Sequence, residues 1–214
     1  MWSIVESIKG VFSCNDRYTP ATALDLSSSP QERVLQYWFH GDLHFNYKTK
    51  WFPDGSAEIQ RRADEAVTCL FGDLFCQAIG CELESWKSDN KSTVALIVVL
   101  DQFSRHIFRL RQLPTGCAER KMADELALAV AEEFISKPGW DNDLTVPEFV
   151  FSMMPFRHNA SIDRLKLVMD AITKRQGKET DALELLHKFS KQTVRRLQHL
   201  QDRAKVHVQL YDYR

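Results

Sequence analysis

Residues Val94 to Arg109, VALIVVLDQFSRHIFR, constrain this chain more than any other stretch. An apolar run, Val94 to Leu100, passes without a turn signal into Asp101, Gln102, Arg105, His106 and Arg109, with Phe103, Ile107 and Phe108 threaded between them. The β-branched residues of VALIVVL suit a buried strand. Leu96, Leu100, Phe103 and Ile107 nevertheless carry a helical stripe across the whole stretch, and one helix of about four turns accounts for both halves. An apolar anchor of this kind delivers polar side chains to a cavity or an interface. On the helix, Asp101, Arg105 and Arg109 are expected on one face, with Asp101 and Arg105 as an i, i+4 ion pair. Such a pair contributes a few tenths of a kcal/mol if exposed. Buried, it is costly unless fully hydrogen-bonded.

Helix signals recur on both sides of this element. Ser29-Pro30-Gln31-Glu32 is a capping box with proline at the first helical position, followed by Val34, Leu35 and Trp38 and a stop near Gly41. Trp51-Phe52-Pro53-Asp54-Gly55-Ser56 reads as a turn into a helix capped by Ser56, with Ile59, Ala63, Ala66, Leu70, Leu74 and Ala78 as its inward stripe and Gly80 as its C-cap. Asp89 to Ser92 caps the central element. Beyond a break at Gln112–Gly116 comes a helix with Met122, Leu126, Ala129, Val130 and Phe134 inward, ending at Lys137-Pro138-Gly139. Thr145-Val146-Pro147-Glu148 is a second capping box, opening a short apolar helix, Phe149 to Met154, that stops at Pro155-Phe156-Arg157-His158. Ser161 caps a helix stopped by Gly177, and residues 179–208 form a last amphipathic helix or pair whose many Lys and Arg residues read as a solvated face. The expectation is an all-α protein of stacked helical hairpins. Residues 1–30 are expected to form a short amphipathic helix and a linker, and residues 31–214 a single helical domain.

Charge and cysteine usage narrow the classes. A net charge of -1 provides no basic field for nucleic acid and no polybasic membrane signal. No apolar run approaches the roughly 20 residues of a membrane span, and the N-terminus has no signal core, so a cytoplasmic protein is expected. Five cysteines at irregular spacing, without a C-x-x-C pair, read as reduced thiols. His40 and His44 flank Gly41, past the expected helix end, and read as exposed loop histidines, not as a metal pair. Neither a metal nor a cofactor is expected.

Val99-Leu100-Asp101-Gln102-Phe103, with Arg105, Ile107, Phe108 and Arg109, resembles the signature of the family known as domain of unknown function 924, although Ser104 stands at its usual proline and His106 at its usual asparagine. Val34-Leu35 to Trp38-Phe39, Trp51-Phe52, Trp86, Asp124 to Leu128 and Met154-Pro155-Phe156-Arg157-His158 follow in the family's order, with Arg157 at a usual glutamate. The resemblance covers roughly residues 31–214 and implies a tetratricopeptide-like helical fold. It supplies no activity. The family's closing Phe-Gly-Arg-Phe-Pro-His-Arg-Asn does not follow His207 to Arg214, so any site that needs that motif is expected to be incomplete.

Two functions compete. The leading one is a helical scaffold that binds a protein or peptide partner in a groove braced by Asp101, Arg105 and Arg109. The alternative is a hydrolase or small-anion-binding protein in which Asp101, Gln102, Arg105, His106, Arg109 and His158 form the site, an Asp–His pair acting as general base and Arg holding carboxylate or phosphate. The sequence has no Gly-rich phosphate loop, G-x-S-x-G or H-E-x-x-H motif. Core packing is the expected role of Trp38, Trp51, Trp86, Phe103 and Phe108.

Overall fold

The central stretch is helical from end to end. In the computed structural model, which describes residues 25, 27–52, 56–176 and 182–211 and side chains as far as residue 205, no strand occurs among the described residues. In order, the helices are α1 (Pro30–Phe39), α2 (Leu43–Asn46), α3 (Ala57–Ile79), α4 (Asn90–Ile97), α5 (Ser104–Leu110), α6 (Ala118–Ile135), α7 (Val146–Ser152), α8 (Met154–His158), α9 (Ile162–Gln176) and α10 (Leu183–Tyr211). A π-helical segment, Val98–Phe103, fuses α4 to α5 without interruption, and a second one, Tyr47–Trp51, follows α2. The sequence expectations at residues 1–24, at Pro53-Asp54-Gly55 and at Gly177 lie outside the described residues. The chain divides into two compact units, residues 1–143 and 144–214.

In the first unit the central helix is the hub. Helix α1 packs on α4, α6 packs on α4 and the π segment, and α3 packs along the π segment and α5. Every residue from Thr93 to Ser104 is buried. Phe103 is fully enclosed, stacked on Phe71 at 4.6 Å and met edge-on by Trp38 at 5.4 Å. Phe75 meets Phe108 edge-on at 5.5 Å. Each such ring contributes roughly 1.5–3 kcal/mol by leaving water. The expected caps are in place: Ser29 with Glu32, Ser56 on the Ile59 amide and Asp89 on the Ser92 amide. At the end of α1 the freed carbonyls of Tyr37 and Trp38 accept from Lys50 Nζ (2.7 Å) and Trp51 Nε1 (3.0 Å), so the second π turn serves as an external C-cap.

Some expected stripes are met only in part. Helix α3 buries Ala63, Ala66 and Ala78 as expected, together with Asp64, Val67, Phe71, Phe75 and Ile79, whereas Ile59 is exposed and Leu70 and Leu74 are only half-buried. Helix α6 buries Ala123, Ala127, Leu128, Val130, Ala131 and Phe134, leaving Ala129 exposed. His40 and His44 are both exposed, the latter within α2. Cys76, Cys81 and Cys117 are free thiols, but Cys69 is disulfide-bonded, against the expectation of reduced thiols throughout.

In the second unit α10 packs on α9 and α7, and α8 packs on α9. Thr145 and Glu148 form the expected capping box. Met153 ends α7, and Pro155 lies in the first turn of α8, so the Pro-Phe-Arg-His run opens a helix where the sequence suggested a stop. Arg175 is buried, stacks on Phe149 and donates to the Leu144 carbonyl.

Candidate functional site

The π segment sets the geometry of the polar cluster. A π turn adds a residue to the backbone ring and re-aims the side chains that follow, and such turns are frequent at functional sites. Asp101 and Gln102 lie within it; Arg105, His106 and Arg109 follow on α5. Two networks result, on opposite neighbours of the central helix. Toward α6, Arg105 Nη2 donates to Asp124 Oδ1 at 2.7 Å and to Asp101 Oδ1 at 3.3 Å. Asp101, fully buried, also accepts from the Gln102 amide. The i, i+4 ion pair is therefore present, and buried at its acidic end.

Toward α3, the carboxylate of Asp64 gathers three donors. His106 Nδ1 lies 2.8 Å from Oδ1, Arg109 reaches Oδ1 with Nη2 (2.8 Å) and Oδ2 with Nε (3.2 Å), and the Gln60 amide donates to Oδ1 at 2.9 Å. A single shared face for Asp101, Arg105 and Arg109 is thus not what forms: Arg109 departs to Asp64 while Arg105 turns to Asp124. Asp64 was not a site candidate in the sequence. It sits in the charged run Arg61-Arg62-Ala63-Asp64-Glu65, where the apolar spacing passes through Ala63 and Ala66.

Burial opposes the charge of Asp64, but hydrogen bonds from His106 and Arg109 and their charges outweigh it, so its carboxyl titrates below the usual range. Burial is the largest influence on His106, helped by the positive charge of Arg109; together they prevail over Asp64 and hold the imidazole below its usual value, hence neutral near pH 7. A neutral ring facing a carboxylate carries its proton on Nδ1 and leaves a lone pair on Nε2. Arg109 Nη2 lies 3.1 Å from Nδ1, but its hydrogen bond goes to the shared carboxylate. Trp38 closes the ring edge-on at 5.7 Å. Asp64 and His106 are buried, whereas the Arg109 side chain remains 38% exposed, so the network reaches the surface through the guanidinium.

Of the remaining sequence candidates, His158 ends α8 in the second unit and is half-buried. Among the described residues no group of three or more His, Cys, Asp or Glu side chains is placed to hold a metal, and no helix is long and apolar enough to cross a membrane.

The family described as "Bacterial protein of unknown function (DUF924)" matches residues 34–210. The chain belongs to that family. The DUF924 match takes in both networks and His158. A solved structure of a protein of unknown function, ATU0120, from Agrobacterium tumefaciens is similar, with a TM-score of 0.53 and 25% sequence identity over 77% of this chain and 82% of that one. No functionally curated protein matches the sequence.

Proposed function

We propose that this DUF924 protein binds a small anionic substrate at the Asp64–His106–Arg109 network and that His106 acts there as a general base. The chemistry is that of a hydrolase or of a related proton-transfer enzyme. The observation that carries this reading is the 2.8 Å contact between His106 Nδ1 and Asp64 Oδ1. A carboxylate in that position fixes ring orientation and tautomer and stabilises the imidazolium formed when Nε2 takes a proton. Arg109, anchored through Nε and Nη2, keeps Nη1 for a carboxylate or phosphate oxygen. The scaffold reading takes second place, because of the three residues it calls on Asp101 is fully buried and Arg105 and Arg109 are each committed to a neighbouring carboxylate, Asp124 and Asp64.

A thermal-shift panel of phosphate and small carboxylates tests the proposal. An anion at about 100 times its Kd adds about 2.7 kcal/mol, a rise of about 5–11 °C for a chain of this size. The expected result is such a rise in the wild type and none in a folded Arg109→Ala variant. Equal rises in both, or no rise with any anion, would contradict the assignment.

A further inference from the structure

Helix α10 of the second unit carries a charge asymmetry with no part in the Asp64–His106–Arg109 site. Leu185, Leu186 and Phe189 bury its apolar side, against which α7 and α9 pack. Lys188, Lys191, Arg195, Arg196, His199 and Arg203 are all exposed. Positions 188, 191, 195, 199 and 203 succeed one another at steps of three or four, so they form a row along one side of the helix, with Arg196 at its margin and one acid, the exposed Asp202, on the same side near its end, 3.8 Å from Lys205. At 1.5 Å per residue the row is about 22 Å long. Lys188 is paired with Glu184 at 2.8 Å, but among the described residues Lys191, Arg195, Arg196 and Arg203 have no carboxylate in ion-pair range. Exposed arginines on α3 are treated differently: Arg61 and Arg62 are matched by Glu58 and Glu65 on their own helix. The whole chain has a net charge of -1, so the cations of this row are offset by acids elsewhere in the sequence.

We propose that this row is a docking surface for an acidic helix of a partner protein. Cations spaced by one helical turn, about 5–6 Å, match carboxylates placed at i and i+4 on a helix laid alongside. As far as Thr193 the apolar side of α10 is buried in its own unit; between 194 and 205 Leu197 and Leu200 are half-buried and Val194 is the one exposed large apolar residue, a smaller apolar face than a membrane-surface helix lays into a bilayer. The net negative remainder of the chain disfavours a polyanion much longer than the row, such as a nucleic acid.

The test uses the full chain and a fluorescent helical peptide of about 20 residues with glutamates in an i, i+4 row. Anisotropy is expected to show binding that weakens about tenfold or more as salt rises from about 0.05 to about 0.5 M, the mark of surface charge pairing. The double variant Lys191→Glu with Arg195→Glu is expected to lose that binding with its melting temperature unchanged. The proposal is overturned by no binding of the acidic peptide, by equal binding to the double variant, or by tighter binding of anionic phospholipid vesicles or duplex DNA than of the peptide.

Discussion

The carboxylates of Asp101 and Asp124 receive the same guanidinium, yet they differ in what surrounds them. Asp101 is fully buried, whereas Asp124 is 30% exposed. Removing Asp101 leaves the buried Gln102 amide without its acceptor while Arg105 keeps Asp124 at 2.7 Å, and a buried donor left unsatisfied costs about 1–3 kcal/mol. Asp124→Ala faces water and is expected to cost less than about 1 kcal/mol. Urea unfolding of the two variants checks the contrast; equal losses would contradict it. The Asp64–His106 pair has a pH signature. Asp64 has its folded pKa depressed, so its contribution is present above 3.8 and lost as pH falls through the lower folded value. His106 is also depressed: below 6.5 the unfolded chain takes up a proton that the folded ring refuses, so stability declines with acid from that pH downward. His106→Asn keeps an amide donor for Asp64 and does not titrate. It is expected to flatten the stability profile between about pH 7 and 5, as followed by urea midpoints. An unchanged slope would show that the ring does not titrate as described. The same variant removes the base and is expected to lower any activity found by about 10²–10⁴-fold. Most of these residues were legible in the sequence because they are consecutive on one helix. Asp64 was not, because a lone Asp between Ala63 and Glu65 looks like a surface residue until α3 turns it onto α5.

At the scale of elements, local rules identified the helix starts and failed on the middle of the central helix. Ser29, Ser56, Asp89, Thr145 and Ser161 all cap as their side chains dictate, since a cap is settled within four residues. Asp89→Ala removes the acceptor for the Ser92 amide at the head of the buried helix and is expected to cost about 1 kcal/mol in urea unfolding. No loss would show that the helix start is held by packing alone. The π segment has no comparable signature in the residues of Val98–Phe103 themselves. It does bear on Ser104, whose amide reaches Val99, five residues back. Proline is the residue the family resemblance places at 104. In an ordinary helix interior it costs about 3 kcal/mol or more through a lost hydrogen bond and a clash with the carbonyl four residues back. Because the wider turn changes that register, Ser104→Pro is expected to cost well under 3 kcal/mol, and a full penalty in denaturant unfolding would contradict the π geometry. The inner faces of α3 and α6 match the expected stripes only in part (Ala63, Ala66 and Ala78; Val130 and Phe134) for a related reason: several apolar registers fit each sequence, and only the neighbouring helices decide among them.

For the whole molecule, helix content was readable because periodic apolar residues and caps repeat along the chain, and membership of DUF924 follows from a match over residues 34–210. The division at Asp143 and Leu144 was less visible, since it falls in the turn-rich run between α6 and α7 without a shift in composition. What the chain does rests on whether the first unit presents a neutral, carboxylate-held imidazole beside an anion-binding guanidinium. The most direct measurement is long-range proton–nitrogen NMR of the His106 ring in the intact protein. A ring that is neutral and protonated at Nδ1 at pH 7 is expected, titrating below the usual histidine value, with Nε2 shifting when a stabilising anion is added. An imidazolium at pH 7, or a proton on Nε2, would contradict that expectation.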